Sequence, residues 1–190
     1  MKIYEIQTDI TKCQIIQRDD HYDLHDFRCK PMKNVWLTNG WYIYNPLDNK
    51  THFYDTPGST IIFDNFIKQS DLGTLLEMAG EVLPIIIEEE QFYFSNILEC
   101  INVLDHKKTK YNYYEDGSIS TVINKYYFHE NRLGGSPIFK IPETAKYQIL
   151  CFEGLSDPWD EFKGRYEELK LEGLEFIEIY DSEKDKNING

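Results

Sequence analysis

A chain of 190 residues that carries 33 acidic side chains against 20 Lys and Arg has a formal net charge of −13. A surface this acidic repels phosphate and anionic lipid headgroups, so we expect no nucleic-acid partner, no membrane partner, and a basic protein partner if charge guides binding; acidity that serves solubility alone is the open alternative. The apolar fraction of 41% and the aromatic fraction of 15% exclude a disordered chain.

The first 70 residues are predicted to be rich in strands and loops. KIYEIQ and CQIIQR have the short apolar runs of strands, whereas residues 19–34 are polar and indicate a loop. Asn39-Gly40 predicts a hairpin within VWLTNGWYIYN, and Pro57-Gly58 predicts a second turn. We therefore expect a β-rich N-terminal part, with residue 70 as the candidate boundary.

Helical periodicity first appears in SDLGTLLEMAG, residues 70–80. Apolar residues recur there at helical spacing, Ser70 or Asp71 can cap the start, and Gly80 can end the helix. EVLPIII then predicts a strand, and the glutamates that follow it indicate a turn or a solvated strand end.

A second helix is predicted from the spacing of Phe94, Ile97, Leu98 and Ile101. It would end near Asp105-His106, and the lysines at 107, 108 and 110 would then meet the negative end of its dipole.

The remaining elements are predicted to be mainly strands. Asp116-Gly117 indicates a tight turn within residues 110–130, and SPIFKIPE and KYQILCFEG indicate two strands, the second central in its sheet because it is apolar on both faces. A helix over 156–173, capped by Asp157 with Pro158 at its first turn and Trp159 on its apolar stripe, precedes the last strand, LEFIEIYD.

These elements predict an α+β fold with a mixed or antiparallel sheet and two to four helices. We expect a β-rich subdomain over 1–70, an α+β core over 71–182 and a frayed tail over 183–190; one compact unit is the alternative. The four cysteines, at 13, 29, 100 and 151, include no C-x-x-C pair. The sequence also contains no signal-like stretch and no 18-residue apolar run. Together with the cysteine spacing, this predicts that the protein is cytoplasmic.

Candidate catalytic residues all have a simpler interpretation. His21 and His25 stand at the i, i+4 spacing that can bind zinc, but they lie in a stretch without helical periodicity. Asp105 and His106 could form an acid–base pair, but adjacent helical residues point in different directions. Nucleophile-elbow and phosphate-loop motifs are missing from the sequence. We therefore predict no catalytic residue, no metal and no cofactor.

Acidic residues in two places are candidates for partner binding. One group follows the EVLPIII strand and the other belongs to the 156–173 helix; a solvated outer face is the alternative interpretation. The candidates are Glu88, Glu89, Glu90, Asp160, Glu161, Glu167 and Glu168.

From residue 81 onward, the order of elements resembles a known family. That order is an L-P strand at Leu83-Pro84, an aromatic run at Tyr93-Phe94, an N-V-L-D segment over 102–105, the F-K-I-P strand at 139–142, and L-E-G-L-E-F at 171–176. This set resembles the immunity proteins of bacterial polymorphic toxin systems (immunity protein 11 type). The resemblance covers about 81–180 and implies a small cytoplasmic inhibitor of one toxin domain, with no catalytic residues to assign.

Three functions remain open from the sequence. The first is a non-enzymatic inhibitor that occludes a cognate toxin. The negative charge of the chain favours a toxin with a basic surface. The second is a small hydrolase that uses His106 or the His21/His25 pair. The third is a structural subunit that assembles with itself; the oligomeric state is open.

Overall fold

A computed structural model describes residues 1–18, 27–48, 50–58, 60–154 and 160–184. Antiparallel strands dominate it and short helices accompany them, which confirms the predicted α+β class. The strands are β1 Lys2–Thr8, β2 Ile16–Arg18, β3 Trp41–Ile43, β4 Phe53–Tyr54, β5 Ile61–Asp64, β6 Gly80–Ile87, β7 Glu90–Ile97, β8 Lys110–Tyr113, β9 Ile119–Lys125, β10 Ile138–Phe139, β11 Ile149–Glu153 and β12 Leu174–Asp181. The helices are α1 Asn65–Lys68, α2 Asp71–Ala79 and α3 Phe162–Glu168, with 3-10 turns at Glu130–Arg132 and Pro142–Thr144.

Two four-stranded antiparallel sheets form the framework. Sheet A has the order β10-β11-β1-β12, and sheet B has the order β4-β5-β7-β6. In sheet A the first strand of the chain lies between two of the last, so that Tyr4 pairs with Cys151 on one side and Glu178 on the other. In sheet B, β5 pairs with β7. Each sheet therefore contains strands from both sides of residue 70.

The main apolar cluster joins the two sheets and the three helices. It contains Tyr4 and Cys151 of sheet A, Phe63 of sheet B, and Leu72 and Phe162 of the helices. Smaller clusters cover the opposite faces, one on sheet B around Trp41 and Phe94 and one on sheet A around Phe128 and Leu150. Strand β11 is buried on both faces, which confirms its predicted central place.

Helix α2 matches its prediction. Ser70 is the N-cap residue and Gly80 the C-cap residue. The Ser70 hydroxyl donates to the carbonyl of Ile67 and accepts no hydrogen bond from an N–H of the first turn of α2. Within the described parts of the chain, no helix has the length and apolarity needed to cross a membrane.

The helix predicted from Phe94 to Leu104 is wrong. Residues 90–97 form β7, which pairs with both β5 and β6. Phe92 and Phe94 face one apolar cluster, whereas Tyr93 and Ile97 face the other. A strand buried on both faces is a continuous apolar run, and such a run contains helical spacings by chance.

The predicted role of the lysines after this segment is therefore also wrong. Asp105 organises a turn in place of a helix end: its carboxylate accepts hydrogen bonds from the backbone N–H groups of Lys107 and Lys108, and its carbonyl accepts one from Thr109.

The predicted turns and the last predicted helix have mixed outcomes. Gly40 does turn with φ +88°, but β3 pairs with β2 and forms no hairpin with the residues before Asn39. The hairpins at Pro57-Gly58 and Asp116-Gly117 are confirmed. The helix predicted over 156–173 is shorter in the described residues: α3 spans Phe162–Glu168, and residues 169–173 are not helical, so the predicted end at Gly173 is wrong. The predicted cap and Trp159 lie outside the described residues.

Candidate functional site

The turn between β6 and β7 is built from three glutamates. Ile87 and Glu90 are the last paired residues, so Glu88 and Glu89 form a two-residue loop. Both have positive φ, 48° and 71°. A hairpin loop of this length needs such angles at both positions, and Asn-Gly satisfies them with least strain. We call Glu88–Glu90 the acidic turn.

Glutamate is a costly choice for this backbone. A non-glycine residue in the left-handed region loses roughly 1 kcal/mol against glycine, and glutamate lacks the short side chain that lets asparagine adapt. The turn therefore keeps two acidic side chains at positions where local stability favours other residues. Such a local conflict is typical of a functional position.

The acidic turn also keeps its charge unneutralised. Glu88, Glu89 and Glu90 are exposed, and within the described residues none of the three forms an ion pair. Three adjacent carboxylates in water are available to a cationic partner without first breaking an internal contact.

A surface cleft adjoins the acidic turn at Glu90. Its lining includes His52, Tyr54, Asp64 and Phe66. His52 Nδ1 lies 2.7 Å from Asp64 Oδ2, and the His52 ring stacks on Phe66 with centroids 4.4 Å apart. Burial, together with smaller contributions from the carboxylates of Asp64 and Glu90, raises the pKa of Tyr54 to about 12.

Each of these side chains is held by a local structural reason. Asp64 ends β5 and caps α1, because its Oδ1 accepts a hydrogen bond from Ile67 N at 3.2 Å. That cap fixes the start of α1, which leaves Phe66 on the outer side with 51% exposure. An exposed aromatic ring beside carboxylates suits the side chain of Arg or Lys, through cation–π and charge-assisted contacts.

The acidic residues around α3 are in a different state. Lys163 Nζ contacts Glu167 at 2.7 Å and Glu153 at 3.3 Å. Arg165 contacts both Glu168 and Asp71.

The two remaining candidates of this group also differ from each other. Glu161 accepts a hydrogen bond from Gly154 N at 2.7 Å, whereas Asp160 is exposed. The structure thus ties most of the α3 candidates into internal contacts and leaves the acidic turn free.

The histidines considered for catalysis give no converging site in the described residues. His106 is half exposed; its Nδ1 lies 2.6 Å from the Tyr111 hydroxyl and its Nε2 lies 3.0 Å from Glu143 Oε1. Asp105 points into its own turn, away from this contact. His21 and His25 lie outside the described residues, and among those described no cluster of His, Cys, Asp and Glu could hold a metal ion.

Sequence reasoning missed two exposed features. One is the His52–Phe66 stack, for which Asp64 before a short helical run was the available signal. The other is the β8–β9 hairpin, which exposes four large apolar side chains: Tyr113, Tyr114, Ile119 and Val122. An exposed apolar group of this kind is also a feature of docking surfaces.

Comparison with models of known protein families identifies a family for this chain. The model of the immunity protein family (Imm11) matches residues 87–181, which is half of the chain. The matched range includes the acidic turn, the β8–β9 hairpin, α3 and most of sheet A. No curated protein matches the chain.

Proposed function

Because the chain belongs to the immunity protein family (Imm11), we propose that it binds a cognate toxin domain and neutralises it by stoichiometric occlusion. The family indicates the toxin-neutralising role. In the occlusion mechanism, one molecule of the protein covers one toxin molecule and catalyses no reaction on it. We place this action in the cytoplasm, where a toxin that enters the cell, or is made there, would be met.

The acidic turn is the proposed contact with the toxin. The observation that carries this assignment is the combination of unfavourable backbone angles and three unneutralised carboxylates at Glu88–Glu90, inside the family-matched range. The adjoining cleft adds Phe66 and Asp64. The corresponding toxin surface is basic, since complementary charge accelerates encounter and selects the partner.

The first experiment tests the function itself. The chain is co-expressed with the toxin domain encoded beside it, and growth and co-purification are measured. We expect growth to be restored and a complex of fixed stoichiometry to be recovered. Toxicity that persists despite folded, soluble protein, together with no recovered complex, would refute the inhibitor function.

The second experiment tests the site. Glu88→Asn with Glu89→Gly removes two charges and supplies the residues that the turn geometry prefers, so it should stabilise the free protein by about 1 kcal/mol. The same change should weaken the complex by about tenfold or more, because close charge pairs contribute at least that much at comparable interfaces. Calorimetry and urea unfolding measure the two quantities.

A matched control removes the same charge elsewhere. Glu167→Gln with Glu168→Gln also removes two negative charges, but from residues engaged with Lys163 and Arg165. We expect affinity to change less than about threefold, as for charges remote from an interface. Equal losses in both variants would show that net charge, and not the acidic turn, governs binding.

Tyr113→Ser with Val122→Ser probes the β8–β9 hairpin. Loss of binding in this variant alone would place the interface at the hairpin and leave the inhibitor function intact.

A further inference from the structure

A buried lysine connects two cysteines that the proposed function does not use. Lys140 follows β10 and forms an isolated parallel bridge with Cys100. Ile101 N donates to the Lys140 carbonyl at 2.9 Å, and Lys140 N donates to the Glu99 carbonyl at 2.9 Å. Residues opposite each other in such a bridge project to the same side, so the Cys100 and Lys140 side chains are neighbours.

The lysine side chain then reaches the segment that contains the second cysteine. Lys140 is fully buried, and its Nζ donates to the carbonyl of Phe27 at 3.1 Å. Cys29 lies two residues further along, with φ 56°, and its thiol is close enough to the Cys100 thiol for that group to raise its pKa. Three reactive groups from three distant parts of the chain thus meet in one cluster.

The two thiols are accessible and lie in positive surroundings. Cys29 and Cys100 are partly exposed, whereas Cys13 and Cys151 are buried. Arg28, Lys30 and Lys146 line a surface pocket beside Cys29. Oxidants reach partly exposed thiols, and nearby cations stabilise the thiolate once a base has taken its proton.

Electrostatics within the cluster links the proton of the thiol to the amine. Burial raises the pKa of Cys29 to about 11, and the charge of Lys140 counters part of this effect. Burial also lowers the pKa of Lys140 to about 8, which the two thiols counter. At mildly alkaline pH a fraction of Lys140 is a neutral amine that can accept the thiol proton.

We propose that Cys29 and Cys100 form a reversible disulfide when the protein meets a peroxide, with Lys140 as the proton acceptor. The thiol proton moves to the Lys140 amine, and the thiolate attacks hydrogen peroxide to give a sulfenic acid and hydroxide, which regains the proton as water. The second thiol then attacks the sulfenic sulfur, and a second water leaves. Two thiols are oxidised by two electrons, and one peroxide is reduced to two waters.

The disulfide would join the segment at Cys29 to the residue that follows β7 by three positions. This link would fasten the 27–30 segment, which lies against sheet B through Asn96 and Lys30, whose side-chain amide and carbonyl are 2.8 Å apart. The modification therefore acts on the fold around β6 and β7, the strands that carry the acidic turn.

The test uses the full chain treated with hydrogen peroxide under native conditions, followed by intact mass and non-reducing peptide mapping. We expect a mass loss of about 2 Da, one cross-linked peptide pair containing Cys29 and Cys100, and full reversal by dithiothreitol. Cys13 and Cys151 should remain reduced.

Matched variants separate the parts of the proposal. Cys29→Ser and Cys100→Ser should each abolish the cross-link, and Cys13→Ser should leave it unchanged. Lys140→Met should slow its formation severalfold in the folded protein, but not in urea, where the cluster is dispersed. Sulfinic acid at Cys29 without a cross-link, or a cross-link to Cys13 or Cys151, would overturn the disulfide. An unchanged rate in folded Lys140→Met would overturn the role of the lysine.

Discussion

Gly73 sits where α2 passes closest to α1. A Cβ at this position would lie 2.5 Å from the Ile67 carbonyl oxygen and 2.6 Å from that of Lys68. Both are backbone atoms, and both belong to the last turn of α1, so neither can move as a flexible side chain would. Glycine is unfavourable in a helix interior, but at position 73 its lack of a Cβ allows the two helices to meet.

We predict that Gly73→Ala destabilises the protein. Alanine favours a helix interior over glycine by about 1 kcal/mol, but overpacking against rigid backbone typically costs 1–3 kcal/mol, and more at this distance. The expected net loss is about 2 kcal/mol in the free energy of unfolding, measured by urea denaturation. Gly134→Ala is the control: a Cβ there meets no atom within 4 Å, so stability should change by less than about 0.5 kcal/mol.

Lys140 gives a pH-dependent prediction. Its pKa is lowered by burial to about 8 from 10.5 in the unfolded chain. Between these values the unfolded state binds the additional proton, so the stability contributed by this group rises with pH. The destabilisation caused by burying the charged Lys140 side chain is fully present below pH 8 and disappears above pH 10.5.

The comparison variant is Lys140→Met, which keeps the buried stem and removes the ionisable group. Between pH 7.5 and 9.5 the unfolding free energy of the parent should rise by about 2 kcal/mol relative to that of the variant. Urea denaturation with a reductant present measures both. The cysteines and tyrosines with raised pKa values titrate in both proteins and largely cancel. Parallel pH curves would contradict the prediction.

At the scale of elements, β1 determines whether the C-terminal part can fold by itself. It occupies an interior position in sheet A and pairs with β11 and β12 along most of its length. Its removal would leave N–H and C=O groups of both strands unpaired, and in the buried strand β11 each such group costs about 1–3 kcal/mol when water cannot reach it.

We therefore predict that a fragment of residues 71–182 is not cooperatively folded. Circular dichroism and limited proteolysis should show little fixed structure, whereas residues 1–182 should behave as the full chain does. A cooperative thermal transition in the shorter fragment would support the separate α+β core expected from the sequence, and would contradict the single folding unit that we propose.

Elements with local signals were predictable from the sequence. Helix α2 has apolar residues at helical spacing and is bounded by Ser70 and Gly80. Two hairpins have the turn pairs Pro-Gly and Asp-Gly. β7 could not be distinguished from a helix, because its burial on both faces depends on strands distant in sequence. Asn39-Gly40 gives the turn but not the partner strand, which lies 20 residues or more upstream of β3.

The candidate site was predictable to a similar degree. Glu88–Glu90 could be assigned to a turn, but its positive φ values and its lack of ion pairs depend on the register of β6 with β7. Around α3, the spacing of Lys163 and Glu167 already indicates a pair. The contact between Arg165 and Asp71 joins two helices distant in sequence, and no spacing rule provides it.

At the scale of the whole molecule, the net charge of −13 acts on the folded state and on the complex in opposite ways. In the free protein, like charges repel one another and favour expansion. In a complex with a basic toxin, the same charges attract the partner. At ionic strengths of about 0.1–0.15 M, added salt screens both interactions between exposed charges that are more than about 8–10 Å apart.

Salt should therefore stabilise the fold while weakening the complex. Raising NaCl from 20 to 300 mM should increase the unfolding free energy of the free protein by roughly 1 kcal/mol, which corresponds to a rise in Tm of about 2–4 °C for a chain of this size. Over the same range the dissociation constant of the complex should increase, mainly through a slower association rate. KCl at equal ionic strength should give the same values, because screening does not depend on the cation. A Tm that falls with salt would show that the internal ion pairs around Lys163 and Arg165 outweigh the repulsion among the remaining acidic residues.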